Sequence, residues 1–326
     1  MAESPFFIIG CGRSGNTLLR SMLNRHPRIA IPLESLFIPD YLRADPSIPL
    51  ERLKTLLVKE HEIREWQLPL RREDLDGCHT PVDLITRVHE LYMAAQHKTI
   101  WGQKTPRLIR FAQELKQCYP RARFIHIIRD PRAVVNSLIA SDTHRSSAYH
   151  GAQRWVHDVN RGLELKRQHP EAVLEVSYEA LVTHPTQTLR TICAFLKVDF
   201  ADEMLHYYED SKTDFSSKFF HDMVQNLDKP PDPSRIERWR TTLSARQVRL
   251  IEMLCADTMH HLGYLPEHHG ATVSPLYVRL TQMQRVLGLS RQLWHYGRRR
   301  PGYLVCNVRR KLALGLLFHD LAGIHR

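Results

Sequence analysis

The first constraint on this chain is FFIIGCGRSGNTLLR, residues 6–20. Four apolar residues running straight into glycines read as a buried parallel strand. From Thr17 the apolar residues Leu18, Leu19, Met22 and Leu23 recur at helical spacing, and His26–Pro27 stops that helix. A strand, a glycine-rich loop and a helix in this order turn backbone N–H groups and a helix N-terminus toward an anion. Read from Gly10 through Gly15 to Thr17, the loop fits a Walker A template with Asn16 in place of the phosphate-binding lysine. Read as Gly10, Gly12 and Gly15, it fits a dinucleotide fingerprint, with Glu34 downstream as the ribose-binding acid. A turn that simply needs glycine fits as well.

The rest of the chain narrows the fold. IAIP from Ile29, TIWGQK ending at Lys104, RFIHIIRD ending at Asp130 and VLEVSY ending at Tyr178 read as further strands. Helices fall between them: one opened by Thr80, Pro81 and Asp83 as cap, first-turn proline and acidic third position, one from Pro131, one over about residues 148–169, and one from Pro185. Strands alternating with helices predict an α/β, P-loop-like three-layer fold, a central parallel sheet flanked by helices. A helix over residues 245–262 closes the body, and LPEHHGAT at 265–272 marks a boundary. The expected division is a domain over 1–265 and a basic, amphipathic helical C-terminal extension over 273–326.

A second anion site follows from IIRDPRAVVNS. Arg129 leaves a strand and Ser137 sits two turns into the next helix, so both can converge on one phosphate. A structural ion pair between Arg129 and Asp130 is the competing reading. Two anion sites at strand ends suit a ligand with phosphates at both ends, such as 3′-phosphoadenosine 5′-phosphosulfate (PAPS). On these motifs the chain resembles the PAPS-dependent sulfotransferases, the bacterial members and the protein-tyrosine sulfotransferases in particular. Arg13–Thr17 with His26–Pro27 matches their 5′-phosphosulfate loop, and Arg129 to Ser137 matches their 3′-phosphate motif. Glu34, Lys104 in WGQKTP and Tyr178 in VSYEAL keep order and spacing, and the likeness covers about residues 6–264.

The resemblance implies that Gly12, Arg13, Ser14, Gly15, Asn16 and Thr17 hold the 5′-phosphosulfate, and that Arg129 and Ser137 hold the 3′-phosphate. Tyr178 would meet the adenine. Arg238, with Arg235 and Trp239 in SRIERWR, would close over the nucleotide, with residues 212–233 as a lid. Glu34 is the candidate general base, and Lys104, with Arg13, the group that neutralises the leaving oxygen. His126 lies mid-strand and reads as packed. No metal is expected. Asn16 departs from the family, where threonine is usual. A P-loop-like kinase or NTPase without its lysine, and a non-catalytic nucleotide-binding protein, fit the loop too.

Charge and cysteines bear on the setting. The formal net charge is +11, and from residue 276 onward ten Lys or Arg stand against one acid, Asp320. That tail reads either as helices packed on the body with solvated arginines outside, or as a peripheral membrane segment attracted to anionic lipid. Nucleic acid is disfavoured, since no recognised motif accompanies the charge; a homodimer stays open. Six scattered cysteines without C-x-x-C spacing, and no run of roughly 20 apolar residues, predict a cytoplasmic enzyme, with the inner membrane surface as the peripheral alternative. The protein-tyrosine enzymes carry a membrane anchor and disulfides, so their acceptor is not carried over. Carbohydrate, glycolipid, small metabolite and tyrosine all remain open, with residues 41–80, 141–151 and 212–233 expected to choose among them.

Overall fold

The apolar runs pair as expected of strands buried on both faces. In the computed structural model, which describes residues 4–141, 146–209, 227–268 and 272–316, β1 (Phe6–Ile9), β2 (Ile29–Ala30), β3 (Ile100–Lys104), β4 (Arg123–Ile128) and β5 (Val173–Ser177) form one sheet. Its order is β2-β3-β1-β4-β5 and every pairing is parallel. β1 is central: Phe6 pairs with Gly102 on one side and Arg123 on the other. IAIP gives only a two-residue strand, because Pro32 has no N–H to continue the ladder.

Helices cover both faces. They are α1 (Asn16–Asn24), α2 (Ile38–Leu42), α3 (Leu50–Leu57), α4 (His61–Glu65), α5 (Pro81–Ala95), α6 (Ala112–Cys118), α7 (Pro131–Ala140), α8 (Ala148–Gln168), α9 (Tyr178–Thr183), α10 (Pro185–Leu196), α11 (Trp239–Thr242) and α12 (Ala245–His261). Local chemistry starts several of them. Thr80 and Asp83 form the expected capping box on α5, and Ser177 caps α9, which moves Tyr178 from the strand end to the first turn of a helix. Pro106 opens a 3-10 turn, not an α-helix. His26 ends α1: its Nδ1 accepts the Arg28 N–H and its Nε2 donates to the Asp199 carbonyl, 2.9 Å.

Two cores result. One packs β1–β5 with α1–α6 and α10; the other joins α7, α8 and α12 around Trp155, Val134 and Ile251. His126 is fully buried between them. Its ring lies where a Cβ on Gly162 of α8 would stand, 2.2 Å from Cε1, so only glycine admits it. Burial lowers its pKa to about 4, which keeps the ring neutral.

Beyond residue 272 two more helices follow, α13 (Pro275–Arg299) and α14 (Pro301–Ala313). α13 packs on α8, and α14 on α4. The expectation of solvated arginines fails at Arg310. Its guanidinium is buried against Asp40 (2.8 Å), Glu60 (2.8 Å) and Glu62 (3.6 Å), while Arg300 pairs with Glu65. Tyr41 donates its hydroxyl to Glu60, and Glu62 accepts the Leu36 N–H at 2.7 Å. Among the described residues no helix is long and apolar enough to cross a membrane.

Candidate active site

All five strands deliver something at their carboxyl ends, the edge where open parallel sheets take ligands. β1 runs into the glycine loop, β2 leads to Glu34, β3 ends at Lys104, β4 leads to Arg129 and β5 to Tyr178. Gly15, φ 94°, turns the loop into α1, whose first turn has neither a side-chain cap nor an acid. A Cβ there would stand 2.4 Å from Tyr178 Cδ2, so loop and ring lie in close contact. Asn16 braces the loop by donating Nδ2 to the Cys11 carbonyl, 2.9 Å. The residue that neither nucleotide template explained is therefore a clamp on the loop itself.

The two expected anion sites are joined. Arg13, in the left-handed region at φ 73°, donates Nε to Ser137 Oγ at 2.9 Å, and its carbonyl accepts from Arg129 at 3.2 Å. Arg129 also donates to the Arg235 carbonyl (2.8 Å) and lies 4.1 Å over the Tyr178 ring. Its own carbonyl is held by Trp155 Nε1 at 2.9 Å. The competing ion pair between Arg129 and Asp130 does not form. Asp130 instead caps α7 and pairs with Arg132 at 2.7 Å, and Arg132 continues to Glu252 at 2.8 Å. Among the described residues Arg129 makes no ion pair with a carboxylate. Burial lowers the pKa of Arg13 and of Arg129, and in Arg13 the neighbouring Arg129 adds to the effect.

On the other side of the loop, Lys104 Nζ lies 2.6 Å from Glu34 Oε1 and 3.2 Å from Thr17 Oγ1. The lysine side chain is 4% exposed and the glutamate 28%. Burial depresses the Lys104 pKa against the pull of Glu34. Glu34 thus partners the lysine. Three buried polar atoms around the loop have no hydrogen-bond partner among the described residues: Ser14 Oγ, Asn16 Oδ1 and Arg129 Nε. Buried polar groups are nearly always paired, and the two donors of this set, Ser14 Oγ and Arg129 Nε, are of the kind an anion would satisfy. Arg13, Lys104 and Arg129 outnumber the one carboxylate among them, which gives the same sign.

Arg238 is exposed, with its carbonyl accepting the Thr241 and Thr242 hydroxyls, and its side chain does not join the cluster; Arg235 comes nearer through its carbonyl. Trp239 is buried under Arg132, 4.2 Å from its ring. No histidine among the described residues bonds to Glu34, Lys104 or Arg13. Of the segments expected to select the acceptor or close the site, 142–145 and 212–226 lie outside the described residues.

Sequence reasoning missed the supports of Glu34. Buried Arg20 on α1 donates to the carbonyls of Ile31 (2.7 Å) and Pro32 (3.1 Å), fixing the turn before it. The Ser35 N–H donates to Thr105 Oγ1 at 2.7 Å, tying the turn after it to β3. An arginine at an inward helix position was the one legible signal.

An all-parallel sheet that brings a phosphate-type loop and several cations to one edge defines a P-loop-like α/β enzyme handling anions. A family model described as the sulfotransferase family matches residues 5–202. The chain belongs to the sulfotransferase family, whose activity is PAPS-dependent sulfuryl transfer. It is 27% identical over 277 residues to protein-tyrosine sulfotransferase A of Caenorhabditis elegans, covering 81% of this chain and 68% of that one. Protein-tyrosine sulfotransferase 1 of Danio rerio is 29% identical over 215 residues, 62% of this chain and 56% of the relative. Among solved structures, the sulfotransferase domain from the curacin biosynthetic pathway superposes with a TM-score of 0.57 at 21% identity, over 81% of this chain and 98% of that domain, a likeness of fold.

Proposed function

We propose that this chain transfers the sulfuryl group of PAPS to a hydroxyl acceptor, with Glu34 as general base. One observation carries the reading: the Glu34–Lys104 pair, 2.6 Å apart, stands against Thr17 at the start of the loop helix. A base and a buried cation are thereby held together beside an anion-binding loop. The loop amides from Gly12 to Thr17, Arg13, the Ser14 and Thr17 hydroxyls and Asn16 hold the 5′-phosphosulfate, while Arg129 and Ser137 hold the 3′-phosphate; the bond from Arg13 to Ser137 ties the two sites together. Tyr178 and the segment carrying Arg235 and Arg238 flank the nucleoside. All these groups fall within residues 1–265, the proposed sulfotransferase domain.

In the transfer, Glu34 takes the acceptor hydroxyl proton as the acceptor oxygen bonds to sulfur. The bond from sulfur to the bridging phosphate oxygen breaks, and Lys104 neutralises the charge left on that oxygen. Like phosphoryl transfer, the step rests on positioning and electrostatics. The acceptor class spans tyrosine, carbohydrate, glycolipid and small metabolite; the names of the relatives make a tyrosine peptide the first probe.

Titration calorimetry with PAP, followed by label transfer from ³⁵S-PAPS to a tyrosine-containing peptide and to a glycan and lipid extract, tests the reading. Glu34→Gln and Lys104→Ala should bind PAP and lose about 10²–10⁴-fold in turnover. Turnover in EDTA should be unchanged. A chain that fails to bind PAP overturns the donor; a variant that binds PAP with full turnover overturns the role of its residue.

A further inference from the structure

α13 and α14 display apolar residues on the face turned away from the body. On α14 the inward positions are Tyr303, Arg310 and Leu314, and the buried face is anchored by the bonds of Arg310 to Asp40 and Glu60. These bonds, with the Arg300–Glu65 pair, fix the rotation of the helix. Val305, Val308 and Leu312 are consequently turned to the outside, about half exposed or more, with Arg309 exposed beside them. At 3.6 residues per turn those three apolar positions share an arc of about 60°.

α13 repeats the pattern. It turns Tyr277, Val278, Thr281 and Gly288 inward, Tyr277 and Val278 packing on the second core, and leaves Leu276, Leu280, Met283 and Trp294 more than half exposed. These positions, with exposed Arg279 and Arg298, share an arc of about 100°. Of the nine large apolar side chains exposed among the described residues, seven lie on these two helices. The body has little apolar surface to hide; the extension displays it.

We infer that α13 and α14 form a docking face for a membrane surface rich in anionic lipid. An apolar stripe bordered by arginines matches the layering of acyl chain below phosphate. From residue 276 onward the chain carries ten basic residues against one acid; Arg300 and Arg310 pair with carboxylates of the body, and exposed Arg279, Arg298 and Arg309 keep the sign that anionic headgroups attract. A second copy of the chain would set arginines against arginines on the same face. A nucleic acid would leave the aliphatic stripe unmatched. Neither helix is apolar enough to cross, so the face lies on the surface.

Trp294 makes the test direct, because the other four tryptophans, Trp66, Trp101, Trp155 and Trp239, are buried. The full chain is mixed with vesicles of phosphatidylcholine alone, or of equal parts phosphatidylcholine and phosphatidylglycerol. The expected result is sedimentation at least tenfold stronger with the mixed vesicles, weakened by salt, and quenching of Trp294 by brominated lipid that Trp294→Phe removes. Leu280→Glu with Leu312→Glu, and separately Arg279→Glu with Arg309→Glu, should abolish binding while leaving the melting temperature unchanged. Failure to sediment with anionic vesicles overturns the inference. So does concentration-dependent dimerisation that the same glutamates abolish, which would give the face to a second copy.

Discussion

Gly15 carries two demands at once: φ 94° and a Tyr178 ring where its Cβ would be. Gly15→Ala should cost about 1–3 kcal/mol from backbone strain alone, and it should weaken PAP binding by displacing the first amides of α1. Urea denaturation and titration calorimetry measure the two effects. Replacing Tyr178 by alanine in the same chain should restore only part of the loss, because it relieves the clash with the ring and leaves the backbone strain. The glycine and its neighbours were legible in sequence because loop chemistry is local. The partners of Arg13 and Glu34 were not: Ser137 lies 124 residues from Arg13, and Lys104 lies 70 from Glu34. Each candidate had a structural role open to it, and only the folded sheet decided between them. Asp130 went to its helix cap, and Arg129 was left to the ligand edge.

At the scale of elements, α14 is held to α2 and α4 by charge more than by apolar packing. Removing one member of a buried ion cluster typically costs about 3–5 kcal/mol, since the opposite charges are left behind. Arg310→Met should therefore lower unfolding stability by about that amount in chemical denaturation. The same cluster sets a pH dependence. Burial pushes the Glu62 carboxyl up to about 8, against the pull of Arg310 and the Leu36 N–H. Between its ordinary range near 4.5 and about 8, the folded chain keeps a proton that the unfolded chain has released. Stability should fall as pH rises across that window, and Glu62→Gln should flatten the fall in melting temperature. Helix positions here were readable from periodicity, but not which face turns inward. A stripe of apolar residues predicts burial, and this helix instead buries its arginine.

For the whole molecule, the alternation of strands and helices sufficed for a parallel sheet, since no other common architecture covers both faces of apolar strands. What the alternation did not contain was the order of the strands, which brings five separate chain segments to one edge. The donors Ser14 Oγ and Arg129 Nε, unpartnered among the described residues, tie the proposed ligand to the stability of the fold. PAP at a hundred times its Kd should stabilise the chain by about 2.7 kcal/mol, visible as a rise in melting temperature. Ser14→Ala and Arg129→Met should reduce that rise.

The Glu34–Lys104 contact has a kinetic meaning. Under the proposed mechanism, the base and the cation satisfy each other while the donor is absent, and the enzyme idles with both occupied. An arriving phosphosulfate competes for the lysine and releases the carboxylate, so the site becomes receptive to a hydroxyl only after the nucleotide is in place. Turnover should accordingly follow a compulsory order. With the tyrosine peptide as acceptor, PAP should inhibit competitively against PAPS and non-competitively against peptide. Random-order kinetics would mean that the pair opens without help. A compulsory order would make the ion pair a latch whose key is the donor.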